Sequence, residues 1–140
     1  MGVTGPRNDV YRVGLVYVAQ ERLLAVRARN RVLFYCPGGQ PEPGETRETA
    51  LIREVWEEIG CVLPASGLRF LGTVQAAADA RPAGSIVRMD CFTSTSLSAA
   101  TPSGEIGEVQ WISWPERARL GAASQQAFEM RLRSRDEQAG

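Results

Sequence analysis

The segment Gly39–Cys61, GQPEPGETRETALIREVWEEIGC, constrains this chain more than any other. Pro41, Pro43 and Gly44 exclude helix and central strand from its first part. From Thr46 onward the pattern reverses. Leu51, Val55 and Ile59 recur at i, i+4 and i+8, which predicts a helix over Thr46–Ile59 with one apolar face and Gly60 as its stop. That helix carries Glu54, Glu57 and Glu58 at i, i+3 and i+4, so all three project from one face. Like charges at this spacing repel, and Glu57 and Glu58 fall in the last turn, where the helix dipole disfavours anions.

Two readings of this face compete. A glutamate stripe is ordinarily a solvated surface. Yet the basic partners of an ion-pair lattice are mostly missing here, and only Glu57 has an arginine one turn back, Arg53. The alternative is a hard divalent cation, Mg²⁺ or Mn²⁺, held by carboxylate oxygens with positions left for water and phosphate.

The flanking residues extend the pattern. Glu45 follows Gly39 after five residues, and Arg53 follows after seven more; then come Glu54, Val55, Trp56, Glu57, Glu58, Ile59, Gly60 and Cys61. This resembles the Nudix box, G-x5-E-x7-R-E-U-x-E-E-x-G-U with U apolar, at every fixed position. Cys61 stands where an aliphatic residue is commoner, and cysteine packs as a small hydrophobe.

Composition agrees with one enzyme domain spanning 1–140, with ends 1–8 and 134–140 flexible. Sixteen basic and sixteen acidic residues balance, so no overall field favours a nucleic acid polymer or an anionic membrane. No apolar run is long enough to span a bilayer. Cys36, Cys61 and Cys91 are odd in number and widely spaced, which argues against a disulfide framework or zinc site and for a reduced, cytoplasmic setting.

Along the chain, strands are expected at Val10–Ala19, Arg22–Arg27, Val32–Cys36, Leu68–Ala77, Ser85–Ser96 and Val109–Trp114. A helical turn is expected at Glu116–Leu120 and a closing helix at Gln125–Arg133. This is a mixed α/β pattern, and the resemblance implies the Nudix α/β/α sandwich with a mixed sheet.

The resemblance also implies a chemistry: Mg²⁺-dependent hydrolysis of a pyrophosphate bond in a nucleotide or nucleotide derivative. It implies Glu54, Glu57 and Glu58 as metal ligands, with the Gly39 carbonyl as a further one. Arg53 would orient a carboxylate, Glu45 or Glu57 being the nearest. Gly38, Gly39 and Gly44 allow close backbone approach to phosphate. The chain has no histidine, so, unless a metal-bound hydroxide forms without a separate base, the general base would be a carboxylate: Glu54, or a glutamate of the segment Gly104–Ser113, Glu105 before Glu108. Tyr35, Phe34, Phe92, Trp111 and Trp114 offer stacking surface or core, and Arg27, Arg29, Arg31, Arg81 and Arg88 could reach further phosphates or a ribose. A homodimer is open. The alternatives are a non-catalytic nucleotide-sensing domain and an isoprenoid diphosphate isomerase. The intact set of carboxylates disfavours the sensor. The isomerase is disfavoured because no cysteine or additional metal cluster stands in the required partnership.

Overall fold

The computed structural model describes residues 8–79 and 81–139. Seven strands are arranged in two sheets. In chain order they are β1 (Val10–Leu15), β2 (Val18–Ala19), β3 (Arg22–Ala28), β4 (Gly38–Gly39), β5 (Leu68–Ala77), β6 (Ile86–Ser94) and β7 (Ile106–Ser113). Helix α1 (Arg47–Ile59) separates β4 from β5, and α2 (Ala122–Ala139) closes the chain. One sheet has the order β4-β1-β6-β5, with β1 parallel to β6 and the outer pairs antiparallel; the other is antiparallel, β2-β3-β7. This is the mixed α/β sandwich expected from the sequence.

Alternation along β3 shows how the layers form. Leu23 and Ala25 join a core with Ile112, Met89 and Cys91 against Ala127 and Phe128 of α2. Leu24 and Val26 face the other way, into a core with Val13 and Leu15 of β1 and with Leu51, Val55 and Ile59 of α1. Apolar groups on both faces of the strands therefore require a helix on each side. Helix α1 starts where Thr46 caps it, its side chain accepting from the Thr49 N–H at 3.1 Å. It stops at Gly60, whose φ of 67° lies in the left-handed region.

Several expected boundaries change. Val10–Ala19 is not one strand. It changes sheets at Val16 and Tyr17, where the Val16 N–H donates to the Phe92 carbonyl (2.7 Å) and the Leu15 N–H to the Pro37 carbonyl (2.7 Å). Val32–Cys36 makes only isolated bridges, Tyr35 to Val26 and Phe34 to Leu120, and strand pairing passes instead to Gly38–Gly39 against Val13 and Gly14. Ser85–Ser96 shortens to β6, and the last strand begins earlier, at Ile106. The turn expected at Glu116–Leu120 is a 3₁₀ helix over Trp114–Arg119. Helix α2 exceeds Gln125–Arg133 at both ends and includes 134–139, where a frayed tail was expected. Of the ends expected to be flexible, residues 1–7 and Gly140 lie outside the described residues.

The turn between β2 and β3 places two non-glycine residues, Gln20 (φ 52°) and Glu21 (φ 64°), in the left-handed region. Such residues cost roughly 1–2 kcal/mol each relative to their favoured conformations, and Asn-Gly suits this hairpin geometry better. The double substitution Gln20→Asn, Glu21→Gly is expected to stabilise the protein by about 1 kcal/mol, raising Tm by roughly 2–4 °C. The exposed Glu21–Arg135 ion pair it removes contributes little. Urea and thermal unfolding check this; an unchanged or lower midpoint contradicts it.

Candidate active site

Arg53 is the centre of the acidic face. Its Nε and Nη2 donate to the two oxygens of Glu45, each at 2.8 Å, a side-on pair. Its Nη1 donates to Glu57 at 2.8 Å and to Glu54 at 2.9 Å, and Nη2 also reaches the Gln40 carbonyl at 3.3 Å. One guanidinium therefore ties the loop before α1 to two carboxylates of the helix. Hydrogen bonds from Arg53 and from the Glu42 N–H hold Glu45 down at about 2.

Glu58 points the other way. Its carboxylate accepts the Gly38 N–H at 3.0 Å, and burial pushes it up to about 7. Burial also raises the Glu54 carboxyl from its ordinary value, against the pull of Arg53. Helix α1 thus carries acids in distinct states: Glu54 and Glu58 desolvated, Glu57 at the surface.

The Gly38–Gly39 bridge is what lets these acids approach the backbone. At Gly39 a Cβ would stand 2.6–2.8 Å from the Glu54 carboxyl atoms. At Gly38, with φ of 148°, it would meet the Val13 carbonyl oxygen at 2.0 Å. Gly38 therefore requires glycine, and a side chain at Gly39 would displace the Glu54 carboxylate. Loop 98–105 is anchored to the other end of α1. The Thr101 and Ser103 N–H groups donate to the Ile59 and Glu58 carbonyls, each at 2.9 Å, and the Cys61 thiol donates to the Ser98 carbonyl at 3.1 Å. The Glu105 carbonyl in turn accepts the Arg29 N–H at 3.0 Å. Glu105 is thereby fixed near the helix end.

A cleft of about 430 Å³ opens beside Glu58 and the two glycines. The site residues expected from the sequence divide around it. Gly38, Gly39, Glu58, Tyr35 and Glu105 line it, whereas Glu54, Glu57 and Arg53 lie on the acidic face alongside. Tyr35 presents its hydroxyl rather than a free ring face. The ring packs on the backbone of Gly121 and lies 5.6 Å from the Arg31 guanidinium, and the hydroxyl donates to Asp79. Of the remaining candidates, Arg31 and Arg81 reach the cleft wall. Arg27 is paired with Glu108 at 3.0 Å, and Glu108 also accepts from Gln110, so this glutamate is engaged elsewhere. Phe34 and Phe92 are core, and Trp114 packs edge-on against Phe128. Trp111 is partly exposed but lines a separate surface depression with Tyr17.

Sequence reasoning missed Arg12. It stands in the apolar run VYRVGL, lines the cleft, and donates from Nη2 to the Cys36 carbonyl at 2.7 Å. Its Nε is buried without a partner. The available signal was a lone charge inside a core strand.

Among the described residues, no three acidic, histidine or cysteine side chains converge as a ready ligand set, because Arg53 and Gly38 hold the glutamates. The donors themselves fit a hard divalent cation. They are carboxylate oxygens on one helix face, beside a glycine backbone with no Cβ in the way and with no competing histidine. All three cysteines are free and buried, and among the described residues no helix is long and apolar enough to cross a membrane.

Glu58 gives a pH signature. Burial holds it at about 7 in the folded protein, above the ordinary 4.5 of a glutamate, so folding favours the neutral form. Its contribution to stability is full below about pH 4.5 and is lost as pH rises through about 7. Relative to Glu58→Gln, the metal-free parent should lose on the order of 3 kcal/mol across that window and then level off. Unfolding of the two proteins from pH 4 to 8 tests this; parallel curves contradict it.

Comparison with known proteins identifies the family and the fold. The NUDIX domain family model matches residues 9–131. A MutT-like protein from Streptomyces ambofaciens is 34% identical over 109 residues, 74% of this chain and 70% of that protein. Among solved structures, a MutT NUDIX hydrolase from Burkholderia pseudomallei superposes with a TM-score of 0.72 at 22% identity, covering 88% of this chain and 98% of the other. A NUDIX hydrolase from Nitrosomonas europaea gives 0.73 at 20% identity over 91% and 90%. The E. coli dihydroneopterin triphosphate pyrophosphohydrolase gives 0.63 at 22% identity over 85% and 92%. The match across most of the chain, together with the shared fold, establishes that this protein belongs to the Nudix family.

Proposed function

We propose that this chain is a Mg²⁺-dependent pyrophosphohydrolase, cleaving the diphosphate of a nucleoside diphosphate linked to another group by attack of water. The observation that carries the reading is the junction of the acidic face with the cleft. Glu58 and the Gly38–Gly39 backbone belong to both, and Glu54 lies against Gly39.

Nudix hydrolases generally use divalent metal ions. Here Glu54, Glu57, Glu58 and the Gly39 carbonyl would hold the cation. When bound, it neutralises diphosphate charge and lowers the pKa of a water. The chain's own residues do the remaining work. Arg53 fixes the directions of Glu54 and Glu57 and links them to Glu45. Gly38 and Gly39 admit the diphosphate close to main chain. The proton acceptor is Glu54 or Glu105. Glu54 is desolvated, which brings a carboxylate nearer the working range of a base. Glu105 stands on the cleft wall, and its side chain has no hydrogen-bonding partner among the described residues. The cleft suits a small nucleotide derivative, with Tyr35 and the glycines among its binding surfaces. The balanced charge supplies no field for a nucleic acid polymer. The free, buried cysteines fit a reduced, cytoplasmic setting.

A panel of nucleoside triphosphates, oxidised nucleotides, sugar nucleotides and ADP-ribose assayed with Mg²⁺ should yield phosphate or nucleoside monophosphate from at least one substrate. Glu57→Gln and Glu58→Gln should lower kcat/KM on it by about 100-fold or more. A parent that binds nucleotides tightly but releases no product contradicts the enzyme reading. Arg53→Lys keeps the charge but not the fork, and should lose kcat more than KM. Equal activity of Arg53→Lys and parent would show that the guanidinium positions nothing.

A further inference from the structure

We infer that Arg12 binds an oxygen of the substrate's diphosphate in the cleft beside the acidic face; this rests on the pyrophosphohydrolase reading above. Arg12 sits in β1 between Tyr11 and Val13, and its strand neighbour on β6 is Met89. It lines the cleft with Glu58, Gly38 and Cys36. Among the described residues its side chain makes one hydrogen bond, from Nη2 to the Cys36 carbonyl at 2.7 Å. No carboxylate lies within ion-pair distance of it among the described residues, whereas Arg53, Arg47, Arg31 and Arg27 each have one. Its Nε is buried and has no partner.

A buried donor left unpaired is destabilising, and more so when it carries charge. Removing the charge while keeping the volume is commonly neutral or stabilising in such places. An arginine kept there therefore calls for a ligand, and its position specifies which. The guanidinium faces a cleft that Glu58 also lines, beside the carboxylate face suited to a cation. A cation held there and Arg12 repel each other until an anion lies between them. A diphosphate answers both charges, and the planar fork of arginine matches two phosphate oxygens. A role confined to holding the Cys36 carbonyl and drawing down the nearby Glu58 carboxyl through space would still leave the buried Nε unpaired.

The test separates binding from structure. Arg12→Met keeps the length of the side chain without its charge. Calorimetry with methylenediphosphonate and Mg²⁺, which needs no turnover, should show affinity at least tenfold weaker than in the parent. Mg²⁺ alone should bind no more weakly, and the ligand-free Tm should be unchanged or higher. Arg12→Lys should recover part of the diphosphonate affinity. On an active nucleotide, Arg12→Met should raise KM. The inference is overturned if Arg12→Met binds the diphosphonate as the parent does. It is also overturned if diphosphonate affinity, Mg²⁺ affinity and Tm all fall together, or if the parent itself fails to bind. Should Arg12→Met not fold, Arg12→Lys decides: several-fold weaker diphosphonate binding supports the assignment, and parental affinity overturns it. A parent that binds the diphosphonate through Arg12 but hydrolyses no nucleotide sinks the proposed reaction and leaves this assignment standing.

Discussion

One guanidinium holds together an arrangement that would otherwise repel itself. Glu54 and Glu57 lie a turn apart on α1, and both accept from Nη1 of Arg53 while its other edge grips Glu45. Exposed ion pairs taken singly contribute little to stability. A shared arginine is different, because its rotamer is fixed once for several contacts and the contacts fix the geometry of the acids. The consequence is direction rather than energy. The loop from Gln40 to Glu45 cannot drift from the helix, and the carboxylates cannot turn to solvent independently.

The second constraint is the absence of side chains at Gly38 and Gly39. Strand β1 runs through the centre of its sheet, and its last pairing on one edge is with these two glycines. Any Cβ there would strike the Val13 carbonyl or the Glu54 carboxylate. Helix, sheet edge and loop 98–105 therefore meet at one place. The loop donates to the final carbonyls of α1, which satisfies a helix end that carries acidic residues and no basic ones in its last turn.

How much of this could be read in the sequence depended on whether the information was local. The helix, its cap region and its core face were legible, since Leu51, Val55, Ile59 and Gly60 declare period and stop within one short segment. The acidic face and the role of Arg53 as its partner followed from spacing along the same helix. The division of Val10–Ala19 between two sheets was not legible. The run is uniformly β-forming, and the switch is set by carbonyls of Phe92 and Pro37, remote in sequence. Val32–Cys36 has strand composition but meets no continuous partner. Residues beyond Arg133 are charged, which suggested fraying, yet they are good helix formers and simply continue α2. At the site, the sequence put Glu105 ahead of Glu108 without a structural reason, and the register of β3 and β7 supplies one by giving Glu108 to Arg27 while Glu105 lines the cleft. Arg12 and the packing of Tyr35 on Gly121 depend on contacts across the whole fold.

If the glutamate face of α1 takes a cation, as proposed, metal binding shows it without assuming a substrate. Titrating Mn²⁺ into the parent and into Glu54→Gln, Glu57→Gln and Glu58→Gln, with bound ion followed by electron paramagnetic resonance, measures it directly. The account requires saturable binding to the parent and a marked loss in each variant. Equal binding by the parent and all three variants, or none by the parent even with methylenediphosphonate present, would contradict it.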